Sequence, residues 1–163
     1  MIHLQSLPKK GNIVDYDGFK RITGTKIHVP FNQNGLPISI IIDSANKHDS
    51  TKLVDVMENI SDHLDNDSIE KIKSVYADKG YDSKTIRDYL EGRHITPCIP
   101  HRNFKTKTVH HANYNKTRYV VERFFAWLKN GFHRIRIRYE RIAENYLAFV
   151  NIASIMMYWR VLG

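Results

Sequence analysis

Lys73-Ser-Val-Tyr-Ala77-Asp78-Lys79-Gly80-Tyr81-Asp82-Ser83 is the stretch on which the fold class turns. Lys73 to Ala77 reads as a short buried strand. Turn formers follow, and Ser83 is an N-cap for a helix through Leu90. Gly92 stops that helix, and Ile95 to Ile99 reads as a further short strand. In an α/β sheet the residues just past a strand's carboxyl end line the crevice where ligands bind, and Asp78 falls there. Two readings of Asp78 compete: a carboxylate that only caps a turn, and one that does chemistry. Gly80 is expected to let the backbone turn sharply beneath it, and Asp82 with Ser83 to cap the next helix.

Toward the N terminus, Thr25 to Phe31 reads as a strand, Asn32-Gln-Asn-Gly35 as a turn and Leu36 to Asp43 as a second strand, which makes a hairpin. Pro30 donates no ladder hydrogen bond and tells against a central position along its whole length. Asp49, Ser50 and Thr51 are expected to cap a helix to about Leu64, with Leu53, Val54, Val56, Met57 and Ile60 on its apolar face. Residues 1–14 read as a poorly packed, flexible lead-in marked by Pro8, Lys9, Lys10 and Gly11. The single domain then covers residues 15–163.

Toward the C terminus, Pro100 to Thr117 reads as a polar loop, followed by the helix Arg118-Tyr-Val-Val-Glu122-Arg123-Phe-Phe-Ala-Trp-Leu-Lys129. At about 100° per residue, Arg118, Glu122 and Lys129 fall within roughly 40° of one another. Val120, Val121, Phe124, Phe125, Trp127 and Leu128 fill the adjoining arc, so one side is expected to be buried while a lone carboxylate between two cations faces a cleft. Arg134-Ile-Arg136-Ile-Arg138 alternates charged and apolar residues, as a strand edge or an extended arm would. Tyr146, Leu147, Phe149, Val150, Ile152, Ala153, Met156 and Met157 read as core. Taken in order, these elements predict an α/β domain with a mixed sheet covered by helices.

Between Arg93 and Arg141 stand twelve Lys or Arg against two Glu, a net +10 in a chain of net +8, so the rest sums to −2. A polyanion is the partner such clustering fits, because Lys and Arg that neutralise phosphates release counterions. The single Cys98 excludes a disulfide framework and a cysteine-based zinc cluster. Glu144, Asn145 and Asn151 interrupt the apolar run from Ala143 to Arg160, which therefore reads as a buried helix and not a membrane span. No signal peptide pattern opens the chain, and a cytoplasmic setting is expected. His101, His110 and His111 lack acidic or Cys ligands at a recognised metal spacing.

An ordered set of segments carries a family resemblance: Asp15-Tyr-Asp-Gly18-Phe-Lys-Arg, Thr25-Lys-Ile-His28, Ala45-Asn-Lys-His48-Asp49-Ser50, Tyr76-Ala-Asp78-Lys-Gly80-Tyr81-Asp82, and Arg118, Glu122 and Lys129 at their spacing. Over nearly its whole length the chain resembles the DDE transposases of the IS4/IS5 insertion-sequence class. The resemblance implies an RNase H-like domain whose acidic residues hold Mg²⁺ (or Mn²⁺) to cut and join DNA. Asp78 matches the family's second Asp and Glu122 its Glu, and both are implied as catalytic and metal-binding. Arg118 and Lys129 match the family's basic residues on the same helix. With Arg123, Arg134, Arg136 and Arg138 they are the expected DNA contacts. The family's Tyr would fall on Asn115, one place from Tyr114.

The first Asp of the triad has no counterpart in residues 1–14, which hold no Asp. An RNase H-like sheet missing its first strand is therefore expected, with unpaired ladder groups beside the hairpin. Asp15, Asp17 and Asp43 are stand-ins for the absent carboxylate. The implied partners are double-stranded DNA (terminal repeats and target), a second copy or an upstream transposase fragment, with action at a prokaryotic nucleoid and no membrane. Two functional classes stay open: a strand-cleaving and strand-transferring enzyme domain, incomplete in this chain, and a catalytically silent DNA-binding fragment that modulates transposition.

Overall fold

A computed structural model describes residues 2–6, 11–101 and 112–162. In chain order its elements are β1 (Ile2–Ser6), β2 (Asp15–Asp17), β3 (Ile22–His28), β4 (Ile41–Ser44), α1 (Leu53–His63), α2 (Asn66–Glu70), β5 (Ser74–Tyr76), α3 (Lys84–Gly92), β6 (Thr96–Cys98), α4 (Ala112–Gly131), α5 (His133–Arg136), β7 (Ile137–Arg138) and α6 (Ala143–Leu162). The fold is mixed α/β, as expected for an RNase H-like DDE domain. The chain divides into two compact units, residues 1–47 with 119–163, and residues 48–118.

In the first unit β3 is the hub of a five-stranded sheet. Its β-branched Ile22, Thr23, Thr25 and Ile27 suit a pleated, enclosed surface. On one edge β3 pairs antiparallel with β1, from Ile2↔Ile27 to Gln5↔Gly24. The other edge is shared by β2, through Asp17↔Ile22, and β4, through Thr25↔Ser44 to His28↔Ile41. β7 runs parallel to β1 through Gln5↔Ile137 and Ser6↔Arg138. The loose lead-in expected over residues 1–14 therefore gives way at Ile2–Ser6 to a strand. Ile2-His-Leu-Gln5 alternates apolar and polar residues, a strand pattern too short to stand out beside the turn formers that follow it. β1 also fills the place beside the hairpin that the sequence left empty, so the ladder groups expected to be bare there are paired. Pro8, Lys9 and Lys10 lie outside the described residues.

The hairpin forms, but its regular strands are shorter than read, ending at His28 and resuming at Ile41, with only an isolated bridge, Phe31↔Pro37, between Pro30 and the tip. The Pro30 carbonyl accepts the Ile38 N–H at 2.9 Å, and Asn32 closes the tip by accepting the Gly35 N–H on its carbonyl and the Asn34 and Leu36 N–H groups on Oδ1. Gly35 sits at φ +79°, and a Cβ there would lie 2.8 Å from Val120 Cγ1, so the tip packs against α4 through a position that only glycine fits.

Ile27, Phe124, Phe125, Leu128, Ile135, Tyr146, Val150, Ala153 and Met157 form the core of this unit. Full burial of each large apolar side chain contributes roughly 1.5–3 kcal/mol. The apolar arc expected on α4 is buried at Phe124, Phe125 and Leu128, but Trp127 is 43% exposed. α6 buries Tyr146, Val150, Ala153 and Met157 at steps of four, three and four, whereas Phe149, Ile152 and Met156, expected as core, face outward. A helix that is apolar all round does not say which side meets the sheet. Arg134 and Arg136 lie on the one-turn α5 and not on an extended arm, and only Ile137 and Arg138 are strand.

In the second unit β5 and β6 pair in parallel, Ser74↔Thr96 to Tyr76↔Cys98, with α3 connecting them. Among the described residues the strands thus form two sheets instead of the single mixed sheet expected. α1 buries Leu53, Val56, Met57 and Ile60, and α3 buries Ile86 and Leu90. Ser83 caps α3 as expected, its Oγ accepting the Ile86 N–H at 3.2 Å. The polar loop expected from Pro100 to Thr117 is helix from Ala112 onward, and residues 102–111, with His110 and His111, lie outside the described residues. Among the described residues no helix is long and apolar enough to cross a membrane.

Candidate functional site

Asp78 follows the end of β5 and caps a 3-10 turn, Lys79–Tyr81. Its Oδ1 accepts the Lys79 N–H at 2.6 Å and its carbonyl accepts the Tyr81 N–H at 2.9 Å. The side chain is exposed, so the capping and the chemical readings of Asp78 are compatible. Gly80 is not in the left-handed region, and the sharp turn expected of it is not why it is glycine. A Cβ there would stand 3.0 Å from Asp49 Oδ2, so glycine makes room for a carboxylate.

Asp49 lies beside the Asp78 turn, a neighbour that the sequence did not reveal. It was expected to help cap the helix to Leu64, but that helix has Lys52 at its N-cap with no side-chain cap, and His48 caps the 3-10 turn before it, its Nδ1 accepting the Ser50 N–H at 3.3 Å. Asp49 opens the 3-10 turn Asp49–Thr51 and turns its carboxylate toward Gly80. Burial pushes the Tyr81 phenol well above its ordinary pKa, and the Asp49 and Asp78 carboxylates push it the same way.

Asp82 does not cap α3. Arg87 donates to its Oδ1 through Nε at 2.9 Å and Nη2 at 2.7 Å, and Nη2 also donates to the Ile99 carbonyl. This pair ties the start of α3 to the end of β6. His101 Nδ1 lies 3.6 Å from the same Asp82 oxygen.

On α4, Arg118 and Glu122 are exposed and Lys129 is half-buried. Arg123 lies between the exposed rings of Tyr119 and Trp127, at 5.8 and 5.4 Å from their centroids, a stabilising cation-π arrangement. Arg134 and Arg136 are exposed on α5. Arg138 departs from expectation, because it is fully buried. Its Nε donates to Glu140 O, Nη1 to Ile13 O and Thr25 Oγ1, and Nη2 to Asn12 O and Arg141 O, which uses all five guanidinium donors within the protein. It also faces the Tyr146 ring at 5.1 Å, and burial lowers its pKa. No donor remains for a phosphate, so Arg138 is removed from the DNA contacts.

The stand-in carboxylates each have a local role. Asp17 is buried and accepts the Phe19 and Lys20 N–H groups at 2.8 and 3.0 Å. Asp15 accepts from the Tyr16 N–H and from Asn46 Nδ2. Asp43 is buried on β4 and accepts the Ser44 N–H at 2.8 Å.

Among the described residues no three His, Cys, Asp or Glu are grouped to hold a metal. The second unit nevertheless offers hard carboxylate oxygens on Asp78 and Asp49. That donor chemistry fits Mg²⁺ or Mn²⁺.

Residues 4–159 match the family model described as "Transposase DDE domain". The chain belongs to that family. Over 141 residues it is 37% identical to the "Putative transposase for insertion sequence element IS402" of Burkholderia cepacia, covering 85% of this chain and 64% of that protein. Over 122 residues it is 30% identical to the "Transposase for insertion sequence element IS1106" of Neisseria meningitidis serogroup B, covering 71% of this chain and 39% of that protein. The chain thus spans less than two thirds of either relative's length. No solved structure matches it.

Proposed function

We propose that this chain is the metal-dependent DNA strand-cleaving and strand-transferring domain of an insertion-sequence transposase of the IS4/IS5 class, with Asp78 and Glu122 as its catalytic metal ligands. The supporting observation is the family match over residues 4–159, which includes an exposed carboxylate just past a strand end and an exposed glutamate between two cations on one helix. When bound, Mg²⁺ or Mn²⁺ supplies Lewis acidity that activates a hydroxyl and stabilises a leaving oxygen.

The chain's own residues do the positioning. Asp78 caps its own turn through one oxygen, which fixes the carboxylate's direction before any ligand arrives. Glu122 offers the second ligand from a helix anchored by Phe124, Phe125 and Leu128. Arg118, Arg123, Lys129, Arg134 and Arg136 neutralise phosphates of double-stranded DNA, at the terminal repeats and at the target. A second copy of the chain is the protein partner, and the work takes place at the prokaryotic nucleoid.

The test is nicking of a duplex that carries the element's ends, with Mg²⁺ or Mn²⁺ as the variable. Asp78→Asn and Glu122→Gln are each expected to lower the rate by about 100-fold or more while DNA is still retained. Nicking that survives either substitution overturns the assignment. Retention without nicking under either metal instead supports the silent DNA-binding fragment.

A further inference from the structure

We propose that the tip joining β2 to β3, residues 18–21, is a DNA wedge: Phe19 enters between neighbouring base pairs while Lys20 and Arg21 engage phosphates of the same duplex. The inference rests on the transposase reading above and deepens it by naming a contact with double-stranded DNA away from Asp78, Glu122 and the basic residues of α4 and α5.

Three observations carry it. First, Phe19 is 95% exposed, more than any other large apolar side chain among the described residues. The β2–β3 ladder ends at the pair Asp17↔Ile22, so the ring stands on a hairpin tip. Second, that tip is shaped before any ligand arrives. One oxygen of the buried Asp17 carboxylate accepts both the Phe19 N–H at 2.8 Å and the Lys20 N–H at 3.0 Å. Arg21 stands at φ +55°, a left-handed conformation that side chains other than glycine rarely adopt and that collects where ligands are clamped. Holding an apolar ring out in water adds nothing to the core, but it lowers the ordering cost of inserting that ring into a partner. Third, Lys20 and Arg21, next to the ring in sequence, are both exposed. Lys is depleted from the apolar centres of protein interfaces. An apolar side chain accompanied by Lys or Arg is instead the combination that parts and kinks a base step, the ring gaining burial between bases while the cations offset phosphate charge. TA and CA/TG steps open most readily and are where the wedge is expected to enter.

The test is permanganate oxidation of a duplex that carries the element's ends, bound by the full chain, with binding curves over a range of salt and a thermal melt of each variant. Permanganate attacks thymines whose stacking is broken, and every TA or CA/TG step carries one. The wild type is expected to make thymines reactive at a defined step. Phe19→Ala should melt as the wild type does, bind about 10-fold more weakly with the same salt slope, and lose the reactivity even at saturation. Phe19→Leu keeps an apolar wedge and should retain it. Arg21→Gln should lower the slope of log affinity against log salt by about 1 and keep the reactivity at saturation. Wild-type binding without reactive thymines, or reactivity that persists in saturated Phe19→Ala, overturns the wedge and leaves the DNA reading standing. Self-association lost in Phe19→Ala, with thymine reactivity unchanged, makes the tip a protein contact and overturns the wedge as well. A wild-type chain that does not bind the duplex overturns the DNA reading itself, and this inference with it.

Discussion

Arg138 on β7 and Arg123 on α4 come from the same basic half of the chain and do opposite things. Arg138 is sealed, with five donors matched to five acceptors from Asn12, Ile13, Thr25, Glu140 and Arg141. Arg123 is half-buried and lies between two exposed aromatic rings, on the helix that carries Glu122. Charge density along a sequence therefore counts cations without sorting them. The sorting comes from where the donors go: a guanidinium fully used by backbone carbonyls is part of the fold, and one beside exposed rings can still meet a phosphate.

The largest expected effect breaks the buried member. Arg138→Ala would take one donor each from four carbonyls and the Thr25 hydroxyl, and the loss should be about 3–5 kcal/mol in urea unfolding. Arg138→Lys keeps the charge but has three donors for five acceptors, and should cost about 2 kcal/mol or more. Mild behaviour of both variants would mean that the guanidinium does not organise this corner. Next comes the hairpin tip that supports α4. Gly35→Ala meets a left-handed backbone and the Val120 methyl at once, and should lower stability by more than about 1 kcal/mol, read from the same unfolding curves.

Arg123→Gln should change stability least, within about 0.5 kcal/mol. Its effect should appear instead in DNA binding, where the slope of log affinity against log salt is expected to fall by about 1. A salt slope unchanged in Arg123→Gln would place this residue with Arg138 as structural.

A pH experiment sharpens the same contrast from the other side of the buried arginine. The Tyr146 hydroxyl donates to the Ile135 carbonyl at 3.0 Å in the core, and burial pushes its pKa above the ordinary 10.0, partly offset by Arg138. A raised folded pKa means the stabilisation is complete below pH about 10 and is lost as pH climbs toward the folded value. Ultraviolet titration of tyrosine should therefore show Tyr146 ionising only with alkaline unfolding, and Tyr146→Phe should lower by one the number of tyrosines that ionise in that step.

Much of the molecule was legible where local chemistry and burial agree. The strand, turn and helix around Asp78 follow from a period and a cap that point the same way, and α1 and the buried arc of α4 from the spacing of their apolar residues. Other parts needed the third dimension. Arg134-Ile-Arg136-Ile-Arg138 has the alternation of an edge strand, yet a one-turn helix holds most of it and the last arginine points into the core. Trp127 and the outer residues of α6 are apolar, but apolar character does not say which side of a helix finds a partner. Asp49 stood in a row of cap formers, and nothing local revealed that His48 would take the cap. β1 pairs with residues 19 to 25 positions away on β3, a partnership that Ile2–Ser6 alone does not announce.

The central proposal is that Asp78 and Glu122 are the metal-ligating carboxylates. Fe²⁺ substituted for Mg²⁺ in the presence of ascorbate and peroxide generates hydroxyl radicals at its site and cuts the nearby backbone, so peptide mapping of the fragments locates the metal directly. The account predicts cuts near Asp78 and near Glu122 together, both suppressed by excess Mg²⁺ and both lost in Asp78→Asn or in Glu122→Gln. Cuts confined to one of the two places, or persisting at one after the other carboxylate is removed, would contradict it.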